Sequence, residues 1–118
     1  MAISMTMPIL IVDDYNTMIR ILRNLLRQLG FSNIDEASDG RTALTKLRTK
    51  EYALVISDWN MEPMTGLELL NRVRADERYK ATPFLMVAND TGEQHAAAGR
   101  AGVSSFIVKP FTAQVLKA

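Results

Sequence analysis

Short, continuous apolar runs alternate along this chain with stripes of helical period, and that alternation constrains the fold more than any other feature. Ile9-Leu10-Ile11-Val12, opened by Pro8, is apolar throughout and stops at Asp13 and Asp14. A run with no polar alternation reads as a strand covered on both faces. From Tyr15 to Leu29 the residues Met18, Leu22, Leu25 and Leu29, joined by Ile19 and Leu26, recur at helical spacing and predict a helix. Gly30 follows at the place of a left-handed C-cap. Ser32 to Ala37 is more polar and predicts an edge strand that is only partly covered.

The period then repeats. Asp39 is placed to cap a helix through Thr49 with Ala43, Leu44 and Leu47 inward, and Ala53-Leu54-Val55-Ile56-Ser57 predicts a second buried strand ending at Asp58. A turn-rich stretch from Met61 to Gly66 leads to a helix carrying Leu67, Leu70 and Val73. Pro83 opens the strand Phe84 to Ala88, an Ala-rich helix is expected from about Thr91 to Ala101, and Ser105 to Val108 is a last strand ending at Lys109, where Pro110 blocks further pairing. Five strand and helix alternations in 118 residues imply right-handed crossovers, an α/β class and a doubly wound parallel sheet in one domain. The last helix has only Thr112 to Ala118, with Val115 and Leu116 as its large apolar residues. It is expected to be truncated, leaving apolar surface near Ile19, Leu22 or Leu26 open to solvent or to another chain.

Composition narrows the function classes. With 14 Lys and Arg against 13 Asp and Glu the net charge is +1, which argues against a basic nucleic-acid binder. The chain has no cysteine, so disulfides and thiolate metal sites are excluded, and the lone His95 cannot make a histidine cluster. No apolar run has the length of a membrane span, so a cytoplasmic protein without nucleic-acid or membrane partners is expected.

In open α/β sheets, ligands bind beyond the carboxyl ends of the strands. Asp13, Asp14, Asp58 and Lys109 stand at such ends. Any one of them has a plain explanation in the solvation of loops; the four together do not. Three carboxylates gathered in one place need a cation, a proton or a lysine between them. Hard oxygen donors with remaining positions left to water suit Mg²⁺. Lys109 could neutralise an incoming phosphoryl group, and Asp58 could serve as nucleophile in acyl-phosphate chemistry.

With Ile11-Val12-Asp13-Asp14 after the first strand, Ser57-Asp58-Trp59-Asn60-Met61 with Pro63 and Gly66 after the third, and Val108-Lys109-Pro110-Phe111 after the fifth, the chain resembles response-regulator receiver domains. Within that family it is most similar to the single-domain chemotaxis regulators. The resemblance implies the flavodoxin-like strand order 2-1-3-4-5 and phosphorylation of Asp58 by a histidine kinase. It further implies Mg²⁺ held by Asp13, Asp14, Asp58 and the Asn60 carbonyl, catalytic roles for Asp14 and Lys109, and a cis bond before Pro110. A protein output target such as the flagellar motor switch is implied as partner. No separate catalytic output is expected, and at most autocatalytic phosphotransfer and autodephosphorylation at Asp58.

Two switch positions depart from the family pattern. Ala88 stands where a Thr or Ser hydroxyl is usual, and Phe106 stands where a Tyr or another aromatic rotates, without a hydroxyl of its own. A degenerate receiver serving as scaffold or phosphate sink is therefore the second reading. A haloacid-dehalogenase-like phosphatase is disfavoured because Tyr15 occupies the place of its second Asp. A flavin carrier is disfavoured because Asp13 and Asp14 occupy the turn where a phosphate-binding loop belongs. Plainer roles fall to the remaining candidates: Arg20, Arg23 and Arg27 on a solvated helix face, Met61 and Met64 packing a loop, His95 exposed, and Trp59 covering the loop as the only tryptophan and hence an optical probe.

Overall fold

A computed structural model describes residues 6–59, 61, 64–77, 81–88 and 105–108, with the backbone alone for 88 and 105–108. The elements run β1 (Ile9–Val12), α1 (Asn16–Gln28), β2 (Ile34–Ala37), α2 (Gly40–Thr49), β3 (Leu54–Asp58), α3 (Gly66–Ala75), β4 (Phe84–Ala88) and β5 (Ser105–Val108). The strands form one parallel sheet in the order β2-β1-β3-β4-β5, so β1 and β3 lie at its centre, with β2 on the edge where its polar sequence puts it. The Ala-rich helix expected near 91–101, the last helix at 112–118 and the bond before Pro110 lie outside the described residues.

Strand alternation divides the interior into two cores. Leu10 and Val12 of β1, Val55 of β3, and Phe84 and Met86 of β4 face α2 and α3, where Ala43, Leu44, Leu47, Leu69, Leu70 and Val73 meet them. Ile9, Ile11, Ile56, Leu85 and Val87 point the other way and pack against Ile19, Leu22 and Leu26 of α1. All four residues of β1 are fully buried, as an uninterrupted apolar run on a central parallel strand requires.

Three sequence expectations shift. The apolar surface expected to stay open at Ile19, Leu22 and Leu26 is buried, because these three side chains face the β1, β3 and β4 residues of the sheet. They, rather than Met18, Leu25 and Leu29, form the inner line of α1, while Met18 packs at its margin. In α3 the inner positions are Leu69, Leu70 and Val73, and Leu67 is only half-buried.

The helix ends follow local chemistry. Gly30 adopts φ 103°, its N–H donates to Arg27 O at 3.0 Å, and Phe31 N–H donates to Leu26 O at 3.0 Å. This is a Schellman closure, with Phe31 packed on the core that contains Leu26. Asp39 caps α2 by accepting from Thr42 N at 2.7 Å, a bond that holds its carboxyl below the usual range. None of the described helices is long and apolar enough to cross a membrane.

Candidate functional site

The site is built at the carboxyl ends of the two central strands. Val12 pairs with Ser57, so Asp13 and Asp58 follow one step further on, at the same level of neighbouring strands. By alternation both share the face of Ile11 and Ile56. Asp13 is fully buried and Asp58 is 5% exposed, with Asp13 Oδ2 and Asp58 Oδ1 shielded from solvent. Carboxylates are seldom this buried, so the two at adjoining strand ends are the candidate site. Asp14 stands beside them exposed to water.

Each carboxylate is fixed by its own backbone context. Asp13 N–H donates to Ala37 O at 3.1 Å, tying the end of β1 to β2, while Asp13 Oδ1 accepts from Tyr15 N at 3.0 Å. That Asx-type bond turns the chain into α1, whose N-cap Tyr15 has no side-chain cap of its own. Asp58 is paired with Val87 of β4, and Trp59 N–H extends the ladder to Val87 O at 2.9 Å. The Ser57 hydroxyl donates to Asp58 O at 3.0 Å. The chain then returns tightly: Gly66 N–H donates to Trp59 O at 2.9 Å, and a Thr65/Glu68 capping box starts α3. Met61 and Met64 are buried in the α2/α3 core, and Trp59 packs against that core half-buried. The plain reading of all three residues as loop packing accounts for these positions.

The expected site residues are thus only partly brought together. Asp13 and Asp58 adjoin, and Asp14 is their exposed neighbour. Asn60 and Lys109, and the side chains of Ala88 and Phe106, lie outside the described residues. The backbone of Ala88 pairs with Val108, so the end of β4 lies one step beyond the Asp58–Val87 pair and next to the strand that leads to Lys109. Among the described residues no three His, Cys, Asp or Glu side chains form a ready metal cluster. The donor set is nonetheless chemically suited to Mg²⁺, which takes one or two carboxylates directly and fills its octahedron with water and carbonyl oxygen.

Sequence reasoning missed two features here. The capping box was announced by Thr65-x-x-Glu68, a readable signature. The Asp13-to-Tyr15 bond has only a weak local signal, an Asp two residues ahead of a helix start.

A parallel sheet in the order 2-1-3-4-5, with helices on both faces and buried carboxylates at the ends of β1 and β3, defines a flavodoxin-like α/β domain with an acidic strand-end site. Residues 9–118 match the family described as the response regulator receiver domain, and the chain belongs to that family. It is 56% identical over 112 residues to the chemotaxis protein CheY of Pseudomonas aeruginosa, covering 94% of this chain and 90% of that protein. Among solved structures it is similar to chemotaxis protein CheY4 of Vibrio cholerae, with a TM-score of 0.87, 34% identity, and 95% and 93% of the two chains covered. It also shares its fold with the receiver domain of sensor histidine kinase PA1611 of Pseudomonas aeruginosa PAO1. That structure has a magnesium ion coordinated in its active site cleft and aligns at a TM-score of 0.85 and 21% identity over 95% and 92% of the chains. The chain is therefore a CheY-like receiver domain of a two-component response regulator.

Proposed function

We propose that the protein is a phosphorylation-switched chemotaxis regulator in which Asp58 is the phosphoacceptor. The observation that carries this reading is the buried Asp58 carboxylate at the end of β3, level with buried Asp13 at the end of β1. An Asp58 carboxylate oxygen attacks phosphorus, the P–N bond of a kinase phosphohistidine breaks, and the imidazole leaves with the bonding pair. Water later attacks the acyl phosphate, releasing inorganic phosphate and restoring Asp58. Asp13, Asp14, Asp58 and the Asn60 carbonyl would hold Mg²⁺, which when bound supplies positive charge to the phosphoryl oxygens. Lys109 supplies a second positive charge from the end of β5.

The output is protein binding: a histidine kinase upstream and a target of the flagellar-switch type downstream, in the cytoplasm. The names of the chemotaxis relatives support that assignment. The substitution of Ala for the usual hydroxyl residue at position 88 favours weak coupling between phosphate and output. The deciding experiment treats wild type and Asp58→Asn with Mg²⁺ and a small-molecule acyl phosphate, then measures intact mass. Wild type gains one phosphoryl group and Asp58→Asn gains none; equal gain in both would remove Asp58 from the role.

A further inference from the structure

Two glycines border the segment that follows the acceptor, and neither is needed for an unusual backbone angle. Gly66 is the first residue of α3, drawn against the end of β3 by its bond to Trp59 O. A methyl group built on Gly66 would strike the carbonyl oxygen of Asp58, and it would stand 3.0 Å from the Asp58 carbonyl carbon and 2.9 Å from Met86 Sδ. The methionine end could swing aside. The Asp58 carbonyl could not, because Asp58 is paired with Val87 in the middle of the sheet and Trp59 N–H is bonded to Val87 O. Gly40, the first residue of α2, makes a similar seat for a side chain of the same segment. A methyl there would come 2.5 Å from Met64 Sδ and 3.1 Å from Met64 Cβ and Cγ. Rotating the tip relieves the contact with Sδ, but the contacts at 3.1 Å with Cβ and Cγ remain, so the base of the Met64 side chain has to shift as well.

We infer that Gly66 is a positioning residue for the phosphoacceptor: its missing side chain lets α3 begin against the Asp58 carbonyl and so fixes the strand end from which the carboxylate projects. Gly40 supports the same segment by seating Met64. This inference rests on Asp58 being the acceptor. A glycine needed only for packing would lower stability when substituted and leave the chemistry of each folded molecule alone. A glycine that positions Asp58 changes the reaction itself, because in-line attack depends on placement to within a fraction of an ångström.

The test uses the full chain as wild type, Gly66→Ala, Gly40→Ala and Gly40→Ala/Met64→Ala. Three readouts are compared: the rate of phosphoryl mass gain with Mg²⁺ and an acyl phosphate, the Mg²⁺ midpoint from Trp59 emission, and hydrogen exchange at the Trp59 amide. Gly66→Ala should retain a cooperative melt, gain mass at least about tenfold more slowly, and exchange the Trp59 amide faster, since misplacement by about 1 Å can cost on the order of 100-fold. Gly40→Ala should slow mass gain less, and Met64→Ala added to it should restore most of the rate by vacating the seat. If Gly66→Ala does not fold, the role of Gly66 is structural and the positioning claim for it falls, while the Gly40 series decides the seating of Met64 separately. Unchanged rates and exchange in folded Gly66→Ala, or a Gly40→Ala defect that Met64→Ala does not relieve, would overturn the inference. If wild type itself gains no mass, the acceptor assignment has failed, and Trp59 exchange with the Mg²⁺ midpoint decides the positioning claim without it.

Discussion

Asp13 and Asp58 leave neighbouring parallel strands one step beyond the register pair Val12–Ser57, and both carboxylates are buried. Two carboxylates so placed would attract a divalent cation while leaving most of its coordination to water. Mg²⁺ titration should therefore change Trp59 emission, because the indole follows Asp58 directly in the chain. Asp13→Asn removes one of these charges and should raise the Mg²⁺ dissociation constant by about tenfold or more, the equivalent of at least about 1.4 kcal/mol. Isothermal calorimetry gives the independent measure. A silent Trp59 together with no heat of binding would remove the acidic-crevice assignment.

The turn after α1 makes a stability prediction that helix propensity alone gets backwards. Gly30 sits at φ 103°, a conformation in which a Cβ collides with the following carbonyl. Gly30→Ala should destabilise the protein by about 1–2 kcal/mol, although alanine is the better helix former. Urea denaturation should show a lower midpoint with an unchanged slope. A midpoint equal to or above that of wild type would mean that the Schellman closure is not holding the α1–β2 connection.

Tyr52 and Asp35 form a polar contact with a definite pH signature. The buried Tyr52 hydroxyl donates to Asp35 Oδ2 at 2.6 Å, and Lys50 Nζ lies 3.0 Å from the same oxygen. The Tyr52 hydrogen bond first, and that of Lys50 second, hold the Asp35 carboxyl below its ordinary 3.8. Stability from this depressed value is present above about pH 3.8 and is lost as pH falls through the folded value. Burial first, and the Asp35 bond second, push Tyr52 above its ordinary 10.0. That contribution is present below pH 10.0 and is lost as pH rises toward the folded value. Asp35 is about one-third exposed and keeps Lys50, so Tyr52→Phe should cost only about 0.5–1 kcal/mol at neutral pH. In urea melts across pH, the difference between wild type and Tyr52→Phe should shrink at both extremes. A difference that stays constant from acid to alkali would show that the hydrogen bond carries none of the linkage.

What the sequence disclosed follows the range of the forces involved. β1 was legible because a short β-branched apolar run, opened by Pro8 and stopped by Asp13, has the length and flanks of a buried strand, and Gly30 because the left-handed position selects for it. The Asp39 cap was legible for the same reason: its partner, Thr42, is three residues away. The Tyr52–Asp35–Lys50 contact was not, since it joins β2 to the approach to β3 and exists only once the sheet has formed. Nor could spacing tell Asp13 from Asp14. Both follow β1 in the chain, and only the parity of the strand and the bond to Tyr15 make the first buried and the second exposed. The contact of Gly66 with the Asp58 carbonyl was hidden likewise, because a glycine in a turn-rich segment signals a turn before it signals a close approach.

Ala88 carries the sharpest prediction about signalling. Its backbone closes β4 beside Val108, one step past the residue paired with Asp58. In receiver domains the hydroxyl usual at this position donates to the phosphoryl group and draws the following loop inward, which makes room for the aromatic residue of the fifth strand. Alanine has no such donor. A hydrogen bond to a charged group contributes about 1.5–3 kcal/mol, comparable to the few kcal/mol that separate the two states of a typical switch. Asn89 could replace part of the pull through its amide, whereas Asp90 could act only by orienting water. Phosphorylation of Asp58 should therefore proceed while the response at Phe106 stays weak. Ala88→Thr should enlarge the phosphate-dependent change in affinity for the output partner by about tenfold, the equivalent of roughly 1.4 kcal/mol. The measurement is partner binding with and without phosphodonor, in wild type and Ala88→Thr. A large phosphate effect already present with Ala88, and no gain from threonine, would place the coupling in another group.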